Sequence, residues 1–296
     1  MTAFREPSTR WPESDCVECA ARAAAVLRVS SSLPEKGLKA LRLILPAAAL
    51  VALALGPPAA AFERVGIVLL HGKTGTPGQF ETVANTLIEA GIAVETPEMC
   101  WSAGRLYDAD FTDCMKDIDT AIGHLREDGV TRIVIGGHSL GALCALGYVA
   151  VHPGLAGVIV LGPAGDPGDF NTNPAVAKSV RTAEAMVKAG DGDVPADFTD
   201  RVLGNNFTVR TTPSAFLSFL GPDSPIAVRR TLPEIDAPLL WLAGTRDQSQ
   251  RNAAALFGIA PDDPLSSLVK VDAGHLGTPD AGTTAMIEWV ETLEDR

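Results

Sequence analysis

Six short apolar runs, separated by stretches of helical periodicity, set the narrowest limit on what this chain can fold into. The runs are 66–72 (GIVLLHG), 92–98 (IAVETPE), 132–138 (RIVIGGH), 157–163 (GVIVLGP), 238–244 (PLLWLAG) and 267–273 (SLVKVDA). Four of them are near-continuous in Val, Ile and Leu, the pattern of parallel strands covered on both faces. Between them, 78–90, 113–128, 140–151, 249–257 and 280–294 carry apolar residues at helical spacing. This alternation predicts an α/β fold with a doubly wound, mostly parallel sheet. Residues that do chemistry on such a sheet collect at the carboxyl ends of its strands.

One apolar stretch stands outside the alternation. Residues 43–55 (LILPAAALVALAL) follow Lys36, Lys39 and Arg42 and precede the small residues Ala59–Ala61. A basic flank, a short apolar run and an A-x-A site match an export signal, with cleavage expected after Ala61. The run is short for a membrane span and contains Pro46; an uncleaved anchor or a buried helix is the alternative. The basic region starts far from Met1, so translation is expected to begin within about residues 26–35, with the first stretch a mis-assigned extension. The division is then an extension and signal over 1–61 and a catalytic domain over 62–296, exported to a periplasmic or secreted location.

Charge narrows the class of partner. The whole chain carries −12, and removing 1–61 takes away seven basic and five acidic residues, leaving −14. Binding to nucleic acid or to an anionic membrane needs clustered Lys and Arg, so a small neutral or apolar substrate is the expectation, with no stable membrane span after signal cleavage. Cys16 and Cys19 form a lone C-x-x-C with no second pair and no nearby His, too little for a zinc site. No metal or other cofactor is expected. Cys100 and Cys114 bracket one loop, for which a disulfide and two half-buried thiols both fit; Cys144 reads as a small core residue.

The run at 132–136 leads into Gly137-His138-Ser139-Leu140-Gly141 and then into the helical ALCALGYVAV. A bare G-x-S-x-G is a weak signal, but strand before and helix after are what a nucleophile elbow requires. The glycines permit a sharp turn that exposes Ser139, and the helix N-terminus favours developing negative charge. A serine hydroxyl needs a base, and that base needs an orienting acid. His275, just past the last strand, is placed for the first role; His71, His124, His138 and His152 are less well placed. Asp247, a short turn beyond PLLWLAG, fits the second, with Asp166 as its rival and Asp272 too near His275 in sequence. The oxyanion donors are expected to be the backbone N–H groups of Leu140 and of Lys73, in the glycine-rich loop GKTGTPG after the first strand. That loop is not a phosphate loop, because Ile67 stands where the leading glycine belongs.

LLHGKTG, GGHSLGA, LAGTRD and DAGHLG, in this order and at these strand ends, resemble the α/β-hydrolase family in a compact, serine esterase- or lipase-like form. The likeness runs from about Gly66 to the C-terminus. It implies a serine hydrolase acting on an ester, or on an amide or thioester, with Ser139 as nucleophile, His275 as general base, Asp247 as its acid, and Lys73 and Leu140 as oxyanion donors. It also implies a sheet without the two antiparallel strands that larger members carry ahead of the HG-bearing strand. An acyltransferase, and a non-catalytic binding protein on the same fold, remain the other classes.

The stretch 165–231 is a long insert expected to form a small helical cap, with helices over 175–190 and 213–221. Trp101, Arg105 and Phe216 are candidate substrate contacts, each with an ordinary packing or surface role as the alternative. Phe198, Phe207, Leu217 and Phe219 read mainly as packing between cap and core. The acyl length and the number of subunits are not encoded in any recognisable pattern.

Overall fold

A computed structural model describes residues 64–167 and 172–294, all within one unit, Ala60–Arg296. The expected signal, its cleavage site and the Cys16/Cys19 pair lie outside the described residues.

All six expected strands form, and they make one parallel sheet. They are β1 (Val65–Leu70), β2 (Ala93–Glu95), β3 (Arg132–His138), β4 (Gly157–Leu161), β7 (Leu239–Gly244) and β8 (Ser267–Val271). Their order is β2-β1-β3-β4-β7-β8. The helices between them are α1 (Glu81–Glu89), α2 (Phe111–Glu127), α3 (Leu140–Val149), α7 (Ala253–Phe257) and α8 (Thr278–Glu294).

Alternate residues of each strand enter two different apolar layers. Ile67, Leu69, Val134, Ile159, Leu161, Leu240 and Leu242 pack with Val83 and Leu87 of α1 and with Met286, Val290 and Leu293 of α8. Val68, Leu70, Ile133, Ile135, Val158, Val160 and Trp241 pack on the other side with α2 and α3. Burial on both faces is why the strands lack polar alternation. Helix ends follow local chemistry. Asp110 caps α2 by accepting from Asp113 N–H, at 2.9 Å.

The insert between β4 and β7 departs from an all-helical cap. It holds α4 (Pro174–Ala189), α5 (Pro213–Leu220) and the four-residue α6 (Val228–Thr231), but also an antiparallel hairpin of β5 (Ala196–Val202) and β6 (Asn205–Thr211). The two residues joining these strands, Leu203 and Gly204, both have positive φ, 47° and 89°. Two such residues are what a tight hairpin turn matching the strand twist demands. Phe198 and Asp200 on β5 and Val209 on β6 face inward, so each strand has one buried face. No helix among the described residues is long and apolar enough to cross a membrane.

Candidate active site

The chain runs from β1 outward to β2 and then back past β1 to β3, so the direction of winding switches between β1 and β3. The crevice at such a switch, outside the carboxyl ends of the strands, is where an open α/β sheet places a site. Leu70 pairs with Gly137 there, and Gly244 pairs with Val271 further along the same edge. Four loops therefore meet: Gly72–Gly75 after β1, Ser139 after β3, Asp247 after β7 and His275 after β8.

Ser139 sits in a strained turn, with φ of 56° and ψ of −115°. A non-glycine residue holds that conformation only when its surroundings over-determine it. Here they do. Ser139 N–H donates to Leu161 O (3.1 Å), and Ser139 O accepts from Ala142 N–H (3.2 Å) and Ala164 N–H (3.1 Å). Glycine is required on both sides. A Cβ on Gly137 would overlap the Gly141 carbonyl, and one on Gly141 would overlap the Leu70 carbonyl and lie 2.6 Å from His71 O.

Ser139, His275 and Asp247 form one hydrogen-bonded line. Ser139 Oγ donates to His275 Nε2 (2.9 Å), and His275 Nδ1–H donates to Asp247 Oδ2 (2.7 Å). The tautomer is assigned from these partners. Asp247 Oδ1 accepts from both Ser249 N–H (2.9 Å) and Ser249 Oγ (2.7 Å), which leaves the other oxygen to the imidazole. Burial disfavours charge on Asp247, but the bonds from His275 and Ser249 outweigh it and hold the carboxyl below its ordinary value. The rival acids are elsewhere. Asp166 accepts from Arg229 N–H at 3.4 Å, and the exposed Asp272 is bound by Arg246.

A second histidine completes the arrangement. His138 is buried, with its ring centroid 4.8 Å from that of His275. Gln79 Nε2 donates to His138 Nδ1 (2.6 Å), which leaves His138 Nε2–H to donate to the His275 carbonyl oxygen (3.0 Å). Gln79 Oε1 accepts from Gly72 N–H (2.8 Å), so one neutral chain ties the loop after β1 to the loop that bears His275. Desolvation, and then the neighbouring His275, lower the pKa of His138 to about 4. Sequence reasoning passed over both residues. The available signal was a His adjoining Ser139, together with a Gln seven residues past the His-Gly pair.

Lys73 and Leu140 flank the serine from the β1 loop and from the first position of α3, where backbone N–H groups have no partner within the helix. Above Ser139 opens a cleft of about 410 Å³, lined by Gly72–Thr76, Gln79, His138, Ser139, Val202, Leu203, His275 and Leu276. Leu203 and Leu276 are 62% and 63% exposed and form its apolar rim. Neither was legible as a site residue, because the hairpin that carries Leu203 was not expected.

The three residues proposed as substrate contacts face away from this cleft. Trp101 is 1% exposed, and its indole N–H donates to His71 O (2.9 Å), so it packs beneath the loop. Arg105 is held by Asp108 (2.9 Å), Asp117 (2.7 Å) and Glu98 O (2.9 Å). Phe216 is fully buried and stacks on Phe198 at 4.7 Å. Position at the sheet edge was read correctly for Trp101, but the direction of the side chain is set by packing. Nearby, a disulfide joins Cys100 to Cys114, with Cα atoms 5.8 Å apart, while Cys144 is a buried free thiol.

Comparison with known proteins agrees with this geometry. The sequence profile of the family described as serine aminopeptidase, S33, matches residues 63–191. A thermostable monoacylglycerol lipase of Bacillus sp. (strain H-257) is 29% identical over 105 residues, which is 34% of this chain and 42% of that protein. The match thus spans less than half the length of that relative. Among solved structures, the monoacylglycerol lipase of Paleococcus ferrophilus aligns with a TM-score of 0.57 at 20% identity, over 77% of this chain and 94% of its own. Est1E from Butyrivibrio proteoclasticus gives 0.54 at 17%, over 79% and 90%. A carboxyl esterase from Bacillus coagulans gives 0.56 at 16%, over 78% and 91%. Sheet order and these solved structures together show that the chain has the α/β-hydrolase fold.

Proposed function

We propose that the protein is a serine ester hydrolase working through an acyl-enzyme on Ser139. The observation that carries the proposal is the line Ser139–His275–Asp247, with spacings of 2.9 and 2.7 Å. As Ser139 Oγ attacks the ester carbonyl carbon, its proton passes to His275 Nε2, and Asp247 stabilises the imidazolium. The N–H groups of Leu140 and Lys73 bind the oxyanion. The tetrahedral adduct collapses, the alkoxide leaves with the proton from His275, and water then cleaves the acyl-enzyme by the reverse sequence of transfers.

The cleft favours an uncharged substrate. Among the described residues that line it, none is an acid, whereas recognition of a free α-amino group calls for a carboxylate at the site. The apolar rim of Leu203 and Leu276 suits an acyl chain, which supports an ester over an N-terminal peptide. We also propose export of the protein, since the Cys100–Cys114 bridge fits an oxidising compartment.

The test is Ser139→Ala, assayed on 4-nitrophenyl esters of increasing acyl length. Turnover should fall by about 10⁴-fold or more while the fold persists. A fluorophosphonate probe should label the wild-type protein at Ser139. Full activity in Ser139→Ala, or folded wild-type protein that neither turns over nor labels, refutes the proposal.

A further inference from the structure

The loop that carries Lys73 is held only in part by its own sequence, through Gly75 N–H to Gly72 O (2.9 Å) and Gly72 N–H to Gln79 Oε1 (2.8 Å). Thr74 has φ of 54°, a left-handed conformation that a β-branched residue keeps only under constraint. Backbone bonds supply part of that constraint, from Thr74 N–H to Trp101 O (3.0 Å) and from Ala103 N–H to Gly75 O (3.2 Å). A further hold comes from the inserted hairpin. Lys73 Nζ donates to Asp200 Oδ1 (2.8 Å) and to Arg201 O (3.3 Å). These side chains are 6% and 0% exposed.

Asp200 is fully engaged. Its Oδ1 also accepts from Arg201 N–H (2.6 Å), and its Oδ2 accepts from Tyr107 Oη (2.8 Å). Tyr107 is itself buried at φ of 62°, and burial raises its phenol well above the ordinary value, so it stays a neutral donor. A buried ion pair is a poor device for raw stability, because desolvation offsets most of the attraction; what it supplies is fixed geometry. Two and three residues beyond Asp200, Val202 and Leu203 line the cleft. The same hairpin therefore shapes the substrate cleft and grips the loop beside the nucleophile.

We infer that Asp200 is a positioning residue: through Lys73 Nζ it fixes the loop whose Lys73 N–H binds the oxyanion, so that catalysis depends on the seating of the inserted hairpin. The inference rests on the serine-hydrolase reading above. Because the oxyanion forms only during reaction, loosening its donor weakens binding of the transition state and leaves binding of the ester largely unchanged.

The experiment uses the full chain with Asp200→Asn and Tyr107→Phe, assayed on 4-nitrophenyl butyrate well below the unfolding midpoint of each variant. A trifluoromethyl ketone, whose serine adduct carries an oxyanion, serves as inhibitor. Asp200→Asn should lower kcat by about 10- to 10²-fold with KM within about twofold, and weaken the ketone by a similar factor. Tyr107→Phe keeps the ion pair but removes one of its supports, and should show the same signature at about three- to tenfold. It decides the matter alone if Asp200→Asn does not fold. Folded variants with wild-type kcat and ketone affinity, or with a change confined to KM, overturn the inference. Wild-type protein that neither turns over the ester nor binds the ketone removes the serine-hydrolase reading, and this inference with it.

Discussion

Acid alone, without any mutation, should unsettle the site through His138. Burial, and then the neighbouring His275, hold its pKa at about 4 against an ordinary 6.5. Above pH 6.5 neither the folded nor the unfolded state carries the extra proton, and His138 contributes nothing to pH dependence. Between 6.5 and about 4 the unfolded chain takes up a proton that the folded protein excludes, so stability falls as pH falls. The interval, 6.5 less 4, is about 2.5 units, and at 1.36 kcal/mol per unit the full loss is about 3 kcal/mol, of which about 2.5 is reached by pH 4.5. That is a large part of a typical total stability. Urea unfolding from pH 7.5 to 4.5 at fixed ionic strength measures it, with His138→Asn as the reference. His71, also lowered by burial, contributes in the same direction to both proteins and cancels in the difference. Asp247 lies outside the window: its folded pKa is depressed, so its contribution is present above pH about 4 and lost only below it. Equal slopes for the two proteins between pH 6.5 and 4.5 would refute the reasoning.

Gly141→Ala should destabilise the protein by more than about 2 kcal/mol, since the added methyl meets the carbonyls of Leu70 and His71 rather than a side chain that can move aside; a variant melting within a degree or two of wild type contradicts this. Breaking the Cys100–Cys114 bridge, by a reductant or as Cys100→Ser with Cys114→Ser, frees a loop closed over a sequence separation of 14. It should cost about 3 kcal/mol, read as a lower denaturant midpoint than that of the oxidised wild type, and an unchanged midpoint would show that the loop is held without it.

What could be read from the residues is what the backbone itself builds. The runs around Val68, Ile135 and Val160 are apolar on both faces because both faces are covered, and this one property marks strand, sheet and layer order together. The turn 137–141 is legible for a similar reason, as its glycines answer to carbonyls a few residues away in space that any such turn presents. Asp247 was preferred to Asp166 and Asp272 because it lies a short turn past β7, while Asp272 is only three residues before His275 in sequence; the structure places Asp247 Oδ2 2.7 Å from His275 Nδ1.

The hairpin was illegible because its buried face is thin. Over 196–211 the inward positions include Phe198, Val209 and, between apolar neighbours, the carboxylate of Asp200. A charge at an inward position breaks the alternation that would have announced a strand, and its main partners, Lys73 and Tyr107, lie 127 and 93 residues earlier in the chain. The joining Leu203-Gly204 has positive φ at both residues yet lacks the usual Asn-Gly or Asp-Gly signature. The same separation hides the rest of the support for the β1 loop. Its Gly72–Gly75 backbone is held by Gln79 from within the next turn, by Trp101 and Ala103 from the disulfide-closed loop, and by Asp200 from the insert. A glycine-rich loop cannot fix itself, since each glycine widens the set of shapes open to it. The distant anchors follow from that weakness, and their own sequence neighbourhoods give no sign of the loop they hold.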